Sequence, residues 1–157
     1  MLGRNLDETS RRNIYRHGRN GILEMGDRAV IGFRDNAETP TIFIYQHWVD
    51  GDQSDVLARA LEASRSRWGD DSYATRICFS QIVGANWNGE LGYGIYVGGT
   101  SHGADYEFIL VVDWSRNVVM VCLNNDSDTV IGETSFDDFL LHPPTAVSDI
   151  LDSMERS

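Results

Sequence analysis

Lysine is absent: all 13 basic residues of the 157-residue chain are arginine. An arginine fork suits carboxylate and phosphate better than a point-charge ammonium does, yet the pattern reads first as the mark of a GC-rich genome, a hint of source and not of mechanism. Cysteine is scarce too. Cys78 and Cys122 sit inside the apolar runs RICFSQIV and VVMVCLNN, where a thiol behaves as a small buried hydrophobe, so neither a disulfide nor a reactive thiol is expected. No apolar run approaches the ~18 residues of a membrane span, and the opening MLGRNLDETSRRN has no apolar signal-peptide core. A cytoplasmic protein without membrane contact is expected.

Catalytic signatures are missing as well. The four histidines (His17, His47, His102 and His142) are scattered over a tail, a strand end, a loop and a pre-proline position, with no base set beside a nucleophile. There is no Gly-x-Ser-x-Gly elbow, no histidine pair at i, i+4 and no Cys-x-x-Cys. GYG and GGTSHG lack the Gly-x-x-x-x-Gly-Lys pattern of a phosphate loop. No catalytic residue, cofactor or metal site is therefore expected. Asp70, Asp71 and Asp113, carboxylates at element ends, keep a metal-dependent phosphoryl-transfer enzyme as a third reading.

Acid is abundant. Twenty-four Asp and Glu leave a formal charge of −11, and its placement is uneven. Residues 1–27 hold five arginines against four acids (net +1), and the rest holds eight arginines against 20 acids (net −12). Such a body repels nucleic acid at long range, so direct DNA binding is not expected.

The length fits one domain with a real core. Residues 1–26 show no sustained periodicity and read as an N-terminal arm. RAVIGF (28–33) and TIFIYQHW (41–48), separated by the turn-rich RDNAETP, read as a hairpin. On the second strand Ile42, Ile44 and Gln46 fall on one face, and Phe43, Tyr45 and His47 on the other. Asp52 is placed to cap a helix over 53–67, in which Val56, Leu57, Ala60, Leu61, Ser64 and Trp68 recur at helical spacing. Gly69 ends it. A second helix, capped by Asp71 or Ser72, sets Tyr73, Ile77, Cys78, Gln81 and Ile82 on one face, with Phe79 and Val83 off that face and burial on two sides expected, and stops at Gly84. GYGIYV, YEFILVVDW and NVVMVCL then read as a three-stranded meander, with GGTSHGAD as a hairpin loop and WSRN as a tight turn. Residues 124–134 read as loop with one short edge strand, SFDDFLL as a short helix broken by Pro143 and Pro144, and TAVSDILDSMER as a last amphipathic helix. The fold class is α+β: one domain over 27–157, with an about five-stranded, mostly antiparallel sheet packed by two or three helices.

The most suggestive cluster is Arg59, Arg65, Arg67 and Arg76 on the two helices, near Trp68, Tyr73 and the His47–Trp48 corner. Arginine forks beside aromatic faces suit a phosphorylated, base-containing ligand. The plain alternative pairs Arg59 with Asp55 or Glu62, and Arg65 and Arg67 with Asp70 and Asp71, leaving the aromatics to the core.

Taken together, DRAVIGF, IFIYQHW, LARALEASRSRWGDDSYATRICFSQIVG, LGYGIYV, FILVVDWSRNVVMV and TSFDDFL resemble small uncharacterised proteins of actinobacterial phages and their hosts, over roughly residues 27–140. The resemblance implies a non-enzymatic accessory protein acting in the host-cell cytoplasm. The leading expectation is a counter-defence protein that sequesters a nucleotide-derived immune signal at the arginine–aromatic cluster. The alternative is an acidic inhibitor that docks on a host protein which normally grips DNA. The arm and the apolar strand faces also suit a homodimer.

Overall fold

The structure, a computed structural model, describes residues 28–47, 52–98, 108–124 and 126–156. The N-terminal arm, Trp48 and the GGTSHGAD loop lie outside the described residues, apart from Gly98.

Strands β1 (Ala29–Arg34) and β2 (Ile42–Gln46) form the expected antiparallel hairpin, with Ile31 opposite Ile44. Asn36 builds its turn: its side-chain oxygen accepts the Glu38 N–H at 2.8 Å, and its own N–H is bonded by Thr39 Oγ1 at 3.0 Å. Gly32 is required inside β1, because a Cβ there would come within 2.9 Å of the Phe43 ring paired across from it.

Among the described residues the sheet has six strands, one more than the roughly five expected, and it is mostly antiparallel as expected, with one parallel pair. Its order is β3-β2-β1-β4-β5-β6, with β3 at Tyr93–Val97, β4 at Phe108–Asp113, β5 at Val118–Leu123 and β6 at Asp126–Ser135. Of the expected meander the antiparallel β4–β5 hairpin forms across WSRN, but β3 pairs with β2 instead of β4, and β4 lies parallel to β1. Burial explains the choice. β1 and β4 are apolar on both faces and occupy the centre, whereas β3 leaves Ile95 and Val97 about half exposed and goes to an edge. Residues 126–135, expected to be mostly loop, form a ten-residue edge strand.

Among the described residues four α-helices cover one face of this sheet. In α1 (Gln53–Ala63) the Asp52 carboxylate accepts the Ser54 N–H at 2.7 Å, and Leu57 and Leu61 are fully buried, each contributing about 1.5–3 kcal/mol of transfer free energy. The helix ends four residues before the expected boundary. The Leu61 carbonyl there accepts from the Ser64 hydroxyl (2.9 Å) and the Trp68 indole (3.1 Å), and Arg65–Arg67 tighten into a 3-10 turn.

Helix α2 (Asp71–Val83) follows, with Asp70 at its N-cap position and Gly84, at φ +59°, closing it. Its buried face is Ala74, Cys78, Phe79, Ile82 and Val83; Tyr73 and Gln81 point outward. Phe79 and Val83 are buried as expected, Phe79 edge-on against Phe33 of β1 at 5.3 Å, and the correction concerns Tyr73 and Gln81. Ser135 caps α3 (Phe136–Leu141), and Pro143 and Pro144 open α4 (Pro143–Glu155) in the first turn, where no N–H is needed. On the other face of the sheet Val30, Phe43, Ile109, Val111, Met120 and Cys122 form a second buried apolar layer.

Candidate functional site

The α1–α2 junction places its arginines against aromatics and acids of its own chain. Arg65 grips Glu62 with Nη2–Oε2 at 2.6 Å, reaches Asp137 at 3.5 Å and lies over the Trp68 ring at 4.6 Å. Their mutual hydrogen bond holds the Glu62 carboxyl below its usual range and raises Arg65. Both are exposed, where such pairs contribute little. Arg67 lies over Tyr73 at 5.0 Å, and Arg76 reaches Ser80 at 3.5 Å. Arg59, exposed on α1, makes no ion pair among the described residues. Trp68 packs on Phe136 at 4.9 Å. The pairings with Asp70 and Asp71 are not the ones formed.

His47 stands apart from this group. Gln46 pairs with Ala29 at the start of β1, whereas Trp68 lines a cleft beside Asp35 and Trp114, just past the ends of β1 and β4. Six strand residues, roughly 17 Å at the usual strand rise, separate the two ends. His47 Nδ1 is bonded to the Tyr45 hydroxyl at 3.0 Å, and its N–H donates to the Gly92 carbonyl at 2.8 Å. The structure thus joins Arg65 to Trp68 and Arg67 to Tyr73 without drawing His47 in. Trp48 lies outside the described residues.

At the carboxyl ends of the parallel pair, Asp113 is buried and fully engaged. It accepts from Arg34 Nε (2.9 Å), the Ser115 hydroxyl (2.7 Å) and the Arg116 N–H (3.1 Å). Burial pushes its pKa up, but the Ser115, Arg34 and Arg116 hydrogen bonds outweigh it and the carboxyl titrates below the usual 3.8. Above it the cleft of about 310 Å³ is lined by Asp35, Trp68, Gly69, Asp71, Trp114, Ser115 and Asn117. WSRN therefore does more than turn the chain: it supplies one wall of this cleft. Among the described residues no group of three or more His, Cys, Asp or Glu could hold a metal ion.

The β6 end of the molecule carries the strongest charge. Residues 126–156 hold eight acids and one arginine. Gly132 lets α4 close on β6, since a Cβ there would stand 2.5 Å from Ile150 Cγ2. Between β6, α3 and α4 runs a groove of about 360 Å³, with Glu133, Asp138, Asp149 and His142 around Ala146 and Ile150. Leu141 on its border is 70% exposed. Glu133 pairs with Arg116 at 2.9 Å; Asp138 and Asp149 make no ion pair among the described residues. The acid count over 126–156 was the sequence signal for this region, which a whole-chain charge hides.

No family model matches this chain, and neither does any curated protein or solved structure. Among the described residues, no helix is long and apolar enough to cross a membrane.

Proposed function

We propose that this protein is a non-enzymatic binding protein whose acidic β6–α3–α4 face docks on a basic surface of a partner protein, of the kind that ordinarily grips nucleic acid. One observation carries the reading: residues 126–156 hold eight carboxylates against one arginine, and three of them, Glu133, Asp138 and Asp149, line a groove over Ala146 and Ile150 with an exposed leucine at its border. Like charges gathered this way cost some self-repulsion when the protein is alone, and a basic partner relieves it while speeding encounter. The phage resemblance of the sequence makes the partner a host protein and the action counter-defence.

The test is capture of a basic protein from host lysate, followed by titration of that purified protein at low and raised salt. Binding weakens steeply with salt, and the variant Glu133→Gln/Asp138→Asn/Asp149→Asn loses it. Unchanged binding by this folded variant overturns the reading.

A second reading, sequestration of a nucleotide-derived signal, is favoured by Tyr73, which is 53% exposed, carries Arg67 on its ring and has Arg76 one turn along. A thermal-shift screen with cyclic di- and oligonucleotides and adenosine-diphosphate-ribose derivatives tests it. A rise in melting temperature that disappears in Tyr73→Ala and Arg67→Ala supports this reading; no rise with any of them removes it.

A further inference from the structure

We infer that the outer edge of β3 binds a second copy of this chain, the two β3 strands pairing antiparallel about a two-fold axis. β3 ends the sheet, and the ladder to β2 shows which of its backbone groups are spent. The His47 N–H donates to the Gly92 carbonyl at 2.8 Å, and Gln46 stands opposite Tyr93. In the alternating antiparallel pattern Gly92, Gly94 and Tyr96 therefore bond to β2. Tyr93, Ile95 and Val97 turn their N–H and C=O groups outward, where no described strand meets them.

The two edges of the sheet are built differently. β6 carries Asp126, Asp128 and Glu133 and shifts register against β5, and such charges and bulges keep an edge from pairing. β3 has no charged residue, no proline and no register shift. Ile95 and Val97, on the same face as the buried Ile44, remain about half exposed, and Leu91 in the approach to the strand is exposed as well. Over residues 84–98 Glu90 is the sole charged side chain, in a chain of formal charge −11. Two such chains repel over most of their surface, and this exposed stretch is where they approach at least electrostatic cost.

A two-fold interface must match itself, and this edge does. Centring the pair on Ile95 sets Ile95 against its own counterpart and Tyr93 against Val97 of the second copy. All three outward positions then exchange both N–H···O bonds, whereas a centre on Gly94 or Tyr96 leaves Val97 or Tyr93 without a strand partner. The side chains of these pairs, aromatic against β-branched, close into one apolar row. Since β3 and β6 are opposite edges, the dimer carries an acidic β6 edge at each end of one continuous sheet.

The inference does not depend on the acidic docking face and is tested apart from it. Light scattering on the full chain gives twice the 17.6 kDa of one chain, falling to the single mass on dilution. Raised salt tightens this dimer by screening like charges, the opposite of its effect on docking. Ile95→Lys, which sets two like charges face to face, weakens dimerisation roughly tenfold or more. Ile95→Pro does the same by deleting an outward N–H while sparing the bonds to β2. Hydrogen exchange at the Tyr93, Ile95 and Val97 amides slows as concentration rises. A single-chain mass at every concentration, a mass beyond two chains, a dimer that survives both substitutions with native circular dichroism, or exchange at those three amides that ignores concentration overturns it.

Discussion

The α1–α2 junction and the β6–α3–α4 unit are neighbours, linked by the Arg65–Asp137 pair, yet they handle charge in opposite ways. At the junction two of four arginines lie on aromatic rings of their own chain, and Arg65 is also gripped by Glu62. The C-terminal unit, residues 126–156, carries eight acids and one arginine of its own, and Glu133 and Asp137 take their pairs from Arg116 and Arg65 outside it. The junction uses Arg65 and Arg67 to finish its own turn, whereas in the C-terminal unit Asp138 and Asp149 make no ion pair among the described residues. Charge density along a chain is thus a poor guide to a site; what matters is whether the folded neighbours already answer it.

The largest expected effect lies where an answered charge is buried. Asp113→Ala leaves Arg34 without its partner at a depth where breaking a pair costs about 3–5 kcal/mol, read by chemical denaturation at neutral pH. The same carboxyl sets an acid limit. Its folded pKa lies below the unfolded one, so its contribution is complete above the ordinary carboxylate pKa and is lost as pH falls through the folded value. Asp113→Asn flattens that part of the stability profile below about pH 4.

Next comes Gly132. Gly132→Ala pushes against Ile150 and costs about 1–3 kcal/mol, with part of the loss recovered by adding Ile150→Ala. A methyl group at the junction's Gly69 would meet no atom within 4 Å, so Gly69→Ala leaves the denaturation midpoint near wild type. An equal cost at the two glycines would dissolve the contrast between a tightly closed unit and an open turn.

Smaller effects sharpen the contrast. Arg65→Ala barely moves the melting temperature, because the pair it breaks is solvent-exposed. Asp138→Asn/Asp149→Asn leaves thermal stability unchanged or raises it, since two like charges without an ion-pair partner among the described residues are removed; a marked fall would mean that these two carboxylates are answered within the fold after all. The smallest signal is chemical: burial pushes both thiols up to about 12, so neither Cys78 nor Cys122 reacts with a disulfide reagent until the chain unfolds.

Much of the fold was legible because it is local. The Asp52 cap, the amphipathic stripe of α1, the Gly84 stop and the Asn36 turn each depend on residues within a few positions of one another. The strand order was not, because it depends on which edges meet across the sheet: GYGIYV reads equally well as a neighbour of β4 or of β2. On α2 Tyr73 was misplaced because it and Phe79 both look like core aromatics until Phe33 selects Phe79. Of the candidate site, the Arg65–Trp68 neighbourhood was legible from spacing. The cleft that Trp68 shares with Asp35 and Trp114 was not, since those three residues are tens of positions apart in the chain.

By itself the sequence determined an acidic α+β chain, its helices and hairpin, two thiols in apolar runs and the absence of a familiar catalytic motif, since composition and short-range periodicity carry that information. Only the tertiary structure decided that β1 and β4 lie parallel at the centre, that Arg65 and Arg67 lie on aromatic rings of their own chain and that Glu133, Asp138 and Asp149 line one groove. Those outcomes depend on burial and on distances between remote residues, which no local pattern encodes.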